Sequence, residues 1–308
     1  MDLLRDTVRS YLAARPGASW RSFAQELGVP APERYGGAGF GPAESAVISM
    51  ELGRALSPLP YLQTAVLAVE ALAGADDPGR LLTELAEGER TATVVFPQDG
   101  LTYDGKRLNG RVPYALEGEL VLVYTADLLL EAEPSARLPY DTMDASRPLT
   151  ELVFDGAPAR ILGPGQKWER VRDRGIAALA AEQAGGARRC LEMAVEYAKV
   201  RRQFGQPIGS FQAIKHKLAD LLVLVESAHS AAMGAHEDPA LAGSYCTEAY
   251  LTASRENIQV HGGIGITWEH DAHRYLKRAT SDAQLLGTPY EHRRRLAAEQ
   301  FLPRAAHA

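Results

Sequence analysis

The chain has 308 residues, 46% hydrophobic and 23% charged, enough for two or three packed units around a sizeable core. Its 33 basic and 39 acidic residues leave a net charge of −6, which argues against an electrostatic nucleic-acid or anionic-membrane partner. No run approaches the roughly 18–20 apolar residues that a bilayer span needs.

In chain order, residues 1–90 read as helical. Asp2 and Arg5 break up the leucines of the N-terminus, so it resembles neither a signal peptide nor an anchor, and a cytoplasmic protein is expected. Leu4, Val8, Tyr11 and Leu12 recur at helical spacing until Pro16-Gly17 stops them. Ser19 suits an N-cap for a helix through Leu27, Pro42 the first turn of another, and Asp77-Pro78 the start of one through Leu85. The period changes over 91–162: Thr91–Phe96, Leu120–Tyr124, Leu128–Leu130 and Glu151–Phe154 read as short strands. Asp104-Gly105 marks a hairpin, because this pair accepts the left-handed angles of a tight turn.

Helical periodicity returns over 163–308. A stripe of small and apolar residues runs from Ile176 to Ala198 and ends at Gly205 and Pro207, and a second runs Phe211, Ile214, Leu218, Leu221, Leu222, Val225. Further helices flank His261-Gly262-Gly263-Ile264-Gly265. The expected fold class is α+β, mainly α: an N-terminal helical domain (1–90), a small β-domain (91–162) and a C-terminal helical bundle (163–308). Cys190 and Cys246 have no C-x-x-C spacing and read as small buried residues, not as disulfide or zinc ligands.

Two segments admit a plain and a chemical reading. Arg201 and Arg202 close the long helix, where cations answer the helix dipole; equally, they offer a guanidinium fork for phosphate beside the aromatic face of Phe204. Gly262 and Gly263 suit either a helix–helix turn or close approach of backbone to a ligand. His261, His270 and His273 lack a carboxylate or cysteine at ligand spacing and read as surface histidines, so no metal is expected.

Longer motifs add a resemblance. Arg201-Arg202-Gln203-Phe204-Gly205-Gln206-Pro207-Ile208, followed by Phe211-Gln212-Ala213-Ile214, is similar to the acyl-CoA dehydrogenase family. So is Gln259-Val260-His261-Gly262-Gly263-Ile264-Gly265, and so are Pro32–Gly37, Glu51–Arg54, Leu85–Glu89 and Phe154–Ala159. The resemblance spans nearly the whole chain in order and implies that family's fold, with a reduced central β-domain and a C-terminal four-helix bundle. It implies FAD and the α,β-dehydrogenation of an acyl-CoA. It also implies a flavin site shared between subunits, in which Arg201 holds the pyrophosphate with Gln203 and Phe204 beside it. Ile208, Gln212 and Ile214 then lie near the adenine end, and Gln259, Gly262 and Gly263 admit the ADP half.

Three departures follow from the same resemblance. The family's glutamate base sits in a segment like "IYEGTS"; here Leu285-Leu286-Gly287-Thr288-Pro289 puts Gly287 in its place. The alternative base position reads Arg174-Gly175-Ile176, again without a carboxylate, and Glu291 and Asp282 are the nearby substitutes. The flavin-facing loop like "TEPxAGSD" is absent, and Val112–Gly118 replaces the later flavin-contacting strand. The turn before Glu33 is short, which alters the acyl pocket. No catalytic residue is expected. The pattern resembles the small base-less subunit of heteromeric α2β2 actinobacterial steroid or acyl-CoA dehydrogenases, partnered by a full-length acyl-CoA dehydrogenase subunit that holds most of the acyl-CoA. A self-sufficient enzyme with altered chemistry and a flavin-free scaffold are the other readings.

Overall fold

The Ser19 side chain accepts the backbone N–H of Ser22, so the expected cap opens a helix where an orphan donor needs it. A computed structural model describes residues 1–76, 78–165 and 167–301. Asp77, expected to help start a helix, and residues 302–308, expected within the last domain, lie outside the described residues. The chain divides into two compact units. One comprises Met1–Ser45 and Pro58–Gly175, the other Ala46–Ser57 and the chain from Ile176 onward.

The first unit holds helices α1 (Asp2–Ala14), α2 (Trp20–Leu27), the start of α3 (Pro42–Arg54), α4 (Val69–Ala73) and α5 (Gly79–Ala86). A wide π-helical stretch, Tyr61–Ala68, leads directly into α4. Rings of Tyr11, Trp20 and Tyr61 all meet Phe23, with centroids 5.8–6.0 Å apart. Thr64 of the π stretch accepts the Ala92 N–H at 3.0 Å, which ties these helices to the sheet.

That sheet is mixed and runs β1-β4-β5-β7-β3-β2, with β6 also on β7. Its strands are β1 (Ala92–Val95), β2 (Thr102–Tyr103), β3 (Arg107–Leu116), β4 (Leu120–Tyr124), β5 (Leu128–Ala132), β6 (Ala136–Pro139) and β7 (Leu149–Pro164). Only β1–β4 pair in parallel; the other pairs in this sheet are antiparallel. The Asp104 carboxylate accepts the N–H groups of Lys106 and Arg107 at 2.9 and 2.8 Å, and Gly105 adopts a φ of +98°, as a tight turn requires.

The long strands extend further than the short runs expected from the sequence. β3 continues through Leu116 and pairs with β7, so residues 112–116 are extended chain. Register shifts at Leu108/Gly110 and Val112/Ala115 let the strand absorb Gly110 (φ +132°), Pro113 and Tyr114 (φ +55°). The strand expected at Glu151–Phe154 lies in the first half of the 16-residue β7, which runs on to Pro164.

The second unit holds the end of α3 and helices α6 (Trp168–Val200, from Ile176), α7 (Gln212–Met233), α8 (Pro239–His261), α9 (Ala272–Asp282) and α10 (Pro289–Phe301). Ala187 and Leu191, Leu221 and Val225, Tyr250 and Ala253, Ala272 and Tyr275 share one core, so α6–α9 form a four-helix bundle. A second core is largely alanine, including Ala180, Ala184, Ala228 and Ala249, which lets helix axes approach closely. Cys190 and Cys246 are buried in these cores, where desolvation raises both thiol pKa values, that of Cys246 to about 12. The whole is mainly helical, and no helix among the described residues is long and apolar enough to cross a membrane.

Candidate functional site

The long helix α6 ends at Val200 because its chain turns into a tiny hairpin. Arg202-Gln203 (β8) pairs with Gln206-Pro207 (β9), and Phe204 and Gly205 take φ values of +51° and +81° at the tip. Two successive left-handed residues match a primed hairpin turn; glycine meets this freely, whereas Phe204 holds it under strain. That strained ring is 93% exposed, touching Phe211 edge-on with centroids 6.1 Å apart.

Arg201 precedes the hairpin. Its carbonyl accepts the Ile208 N–H at 2.8 Å, while its guanidinium is exposed and makes no bond among the described residues. Gln203 is also exposed, its amide donating only to the Arg202 carbonyl at 2.9 Å. Ile208 and Ile214 are half-buried against a small core of Ala194, Ala198 and Val260. Their packing role is therefore evident, and Gln212 sits exposed beside them, its amide 2.9 Å from His216 Nε2.

The glycine loop lies at the same end of the bundle. His261 ends α8 and its ring stacks on Tyr197, one turn before Arg201, with centroids 4.3 Å apart. Gly262 follows with φ +65°, opening a short 3-10 turn through Ile266. Gln259, Gly262 and Gly263 are exposed, and a Cβ added at either glycine would meet nothing within 4 Å. The structure thus brings Arg201 and the glycine loop together through the Tyr197–His261 stack and the shared packing on Val260.

Histidine burial was not legible in the sequence. His261 and His273 are buried, not on the surface, and His270 is half-buried with its ring 4.1 Å from that of His261. The cause is tertiary, since aromatic neighbours from α6 and the loop cover His261.

At the expected place of the base the chain is backbone-strained and carries no acid. Aligned on its Gly-Thr pair, the "IYEGTS" pattern sets its glutamate at Leu286 and its glycine at Gly287, one residue earlier than expected. Leu286 has φ +56° and Gly287 φ +113°, and a Cβ on Gly287 would come within 3.1 Å of the His292 ring. The two substitutes are otherwise engaged. Glu291 accepts the Thr288 N–H at 2.7 Å while Thr288 Oγ1 accepts the Glu291 N–H at 3.3 Å, a reciprocal cap on α10. Those bonds hold the Glu291 carboxyl below its ordinary range, which suits an anion that caps and opposes a base that must pick up a proton. Asp282 is 1% exposed within the bundle.

The donor set fits the anionic half of a dinucleotide. A free guanidinium, an exposed aromatic ring and a loop with room for close backbone approach stand side by side.

Two family models match the chain: the acyl-CoA dehydrogenase N-terminal domain over residues 2–89 and the acyl-CoA dehydrogenase C-terminal domain over residues 173–301. The chain is 39% identical over 321 residues to the acyl-CoA dehydrogenase IpdE2 of Mycobacterium tuberculosis, with 96% of each chain covered. It is 40% identical to IpdE2 of Mycolicibacterium smegmatis, covering 97% of this chain and 93% of that one. Among solved structures, it is similar to a chain of the ChsE4–ChsE5 complex from Mycobacterium tuberculosis, with a TM-score of 0.86, 27% identity, and 97% and 96% of the two chains covered. A chain of the Tcur3481–Tcur3483 steroid ACAD matches with a TM-score of 0.83 and 28% identity, over 96% and 95% of the two chains.

Proposed function

Since the chain belongs to the acyl-CoA dehydrogenase family, we propose that it is the base-less subunit of a heteromeric FAD-dependent acyl-CoA dehydrogenase. In this reading it comprises three domains (1–90, 91–162 and 163–308) and pairs with a full-length acyl-CoA dehydrogenase subunit as α2β2. The observation that carries it is the contrast between two places in the bundle. Arg201, Phe204 and the 262–263 loop stand exposed and ready for a ligand, whereas Leu286 and Gly287 offer no acid and Glu291 is tied into a helix cap.

In this reading each residue has its own work. Arg201 neutralises the flavin pyrophosphate, a charge-assisted contact that an exposed helix end can make without burying an unpaired cation. Gln203 and Gln259 supply amides, and Gly262 and Gly263 let backbone approach the ADP half. Phe204 covers an apolar part of the cofactor or of the partner, with Ile208, Gln212 and Ile214 shaping the adenine end. When bound, FAD supplies the hydride acceptor for dehydrogenation of the acyl-CoA. The acid–base group comes from the partner, which holds most of the substrate. The matched steroid ACAD complex supports a steroid side-chain CoA thioester as that substrate.

Purification alone and after co-expression with a neighbouring full-length acyl-CoA dehydrogenase tests the reading. The chain alone is expected to be colourless and inactive, and the co-purified complex yellow, with about one FAD per pair of unlike subunits. A yellow homo-oligomer that oxidises acyl-CoA unaided overturns it.

A further inference from the structure

Three rings hold the glycine loop against the end of α6. Tyr197, His261 and His270 lie one on the next, with centroids 4.3 and 4.1 Å apart. His261 and His270 are the two ends of the loop that carries Gly262 and Gly263, and Tyr197 stands one turn before Arg201. His261 is buried between its neighbours and His270 is half-buried.

Hydrogen bonds give the two histidines opposite tautomers. His261 Nδ1 lies 2.8 Å from the Asn257 carbonyl, which only accepts, so that nitrogen carries a proton. His270 Nδ1 instead accepts the backbone N–H of Ala272 at 3.1 Å, so it is bare and the neutral ring carries its proton on Nε2. Ala272 is the first residue of α9, where the helix itself provides no acceptor. The Asp271 side chain makes no cap bond there and is held by Arg274 at 3.0 Å. Ala272 is 0% exposed, so water does not replace His270 as the partner of its N–H.

Proton uptake at His270 Nδ1 sets two N–H groups against each other across that 3.1 Å. It also puts a cation at the N-terminus of α9, where the helix dipole opposes one. The ring escapes both by swinging away from Ala272, which takes it off His261 as well. Charges reach the pair from each neighbouring element. Arg189 and Glu196, 3.4 Å apart, come from α6; Glu269 and Asp271 come from the loop; buried His273 and Tyr275 come from α9. The Asn257 carbonyl comes from α8. Glu269 is exposed and in no ion pair among the described residues, so it favours the charged ring once that ring has swung out.

Burial, and then the His270 ring, hold the His261 pKa below its ordinary 6.5. His261 therefore stays neutral while the stack is closed. The stability linked to it is complete above 6.5 and is lost as pH falls through the lower folded value. Opening of the stack at His270 removes the cover that keeps His261 neutral, so the two protonations reinforce each other.

We propose that His270 is an acid-sensitive clasp: a proton on its Nδ1 frees the start of α9, opens the three-ring stack and loosens the 262–270 loop beside Arg201. The consequence for a bound cofactor rests on the flavin reading, whereas the clasp itself does not.

Long-range proton–nitrogen NMR spectra of the full chain read the ring nitrogens, with His270 assigned by the signals that His270→Asn removes. At about pH 8 they are expected to show His261 protonated on Nδ1 and His270 on Nε2. His270→Asn sets Oδ1 where Nδ1 stood, so it keeps an acceptor for Ala272 and takes up no proton; His270→Asp supplies the acceptor as an anion and serves if the first variant folds poorly. Unfolding midpoints of wild type and His270→Asn are expected to agree within about 2 °C at about pH 8, and the variant to lie at least about 3 °C higher at about pH 5.5. In the co-purified complex, flavin retained on gel filtration should fall at least about twofold over that range in wild type and less in the variant. Parallel midpoint profiles, a proton on His270 Nδ1 at about pH 8, or equal flavin loss in both proteins overturns the proposal. A chain that holds no flavin at either pH, with the spectra and midpoints as expected, overturns the flavin reading and supports the clasp.

Discussion

Arg278 sets its Nη1 2.6 Å from Oε1 of Glu182, with side-chain exposures of 2% and 9%. Its Nη2 also donates to the Ser57 carbonyl at 3.3 Å. The pair fastens α9 to α6 inside the bundle. Removing either side chain takes a charge-assisted bond out of a buried network in which both residues have further partners, at a cost of about 1.5–3 kcal/mol. Arg278→Met and Glu182→Gln are each expected to lower the urea midpoint by that order, while Arg278→Met with Glu182→Met recovers part of the loss. Wild-type midpoints in both single variants would show that the pair is dispensable.

Leu286 holds a left-handed backbone, φ +56°, which a side chain with a Cβ adopts only under strain. Leu286→Gly removes the Cβ strain, and is expected to stabilise the chain or leave it neutral, within about 1 kcal/mol of either sign once the lost side chain is counted. Gly287→Glu should instead cost more than about 1 kcal/mol, because it puts a side chain at φ +113° and against His292. Thermal unfolding of the two variants gives the comparison; a Gly287→Glu chain as stable as wild type contradicts the geometry.

Glu291 gives a pH-dependent cap. Its folded pKa is below its unfolded value because the Thr288 N–H and hydroxyl bond the anion. The stabilisation is complete above the unfolded pKa of 4.5 and is lost as pH falls through the lower folded value. Glu291→Gln, which keeps a weaker acceptor, should therefore lose stability at pH 7 and differ little from wild type in strong acid. A difference between the two that stays constant with pH would remove the carboxylate from the cap. Thr288→Ala should cost about 1 kcal/mol at pH 7.

Gly263 separates ligand approach from folding. A Cβ there meets nothing within 4 Å and its φ is ordinary, so Gly263→Ala is expected to keep the wild-type unfolding midpoint. In the co-purified complex the same substitution should lower flavin retention on gel filtration, as should Arg201→Ala, which leaves phosphate charge unpaired. Full flavin occupancy in both variants would remove this surface from the cofactor site.

The helices were the legible part of this chain. Stripes such as Leu179–Ala180–Gln183–Ala184–Ala187 repeat at 3.6 residues, and Ser19 and Pro42 mark helix starts that the structure contains. The longer strands were not, because Gly110, Pro113 and Tyr114 interrupt the alternation of β3, and Gly156, Pro158 and Gly163 that of β7. Bulges absorb those breaks, and a bulge has no period to read. In the candidate site, Arg201 and Gly262–Gly263 were legible as motifs. The stack of Tyr197 on His261 joins residues 64 positions apart in sequence (261 − 197), and no local pattern encodes it.

Strand β7 is the common partner of β3, β5 and β6, pairing with β3 and β6 along its first half and with β5 along its second. During synthesis the earlier strands leave the ribosome before residues 149–164 exist, so the β1–β4–β5 and β2–β3 groups must wait with open edges. Truncation before Ala159, where pairing with β5 begins, therefore strands them as two unjoined ribbons, and the sheet closes late.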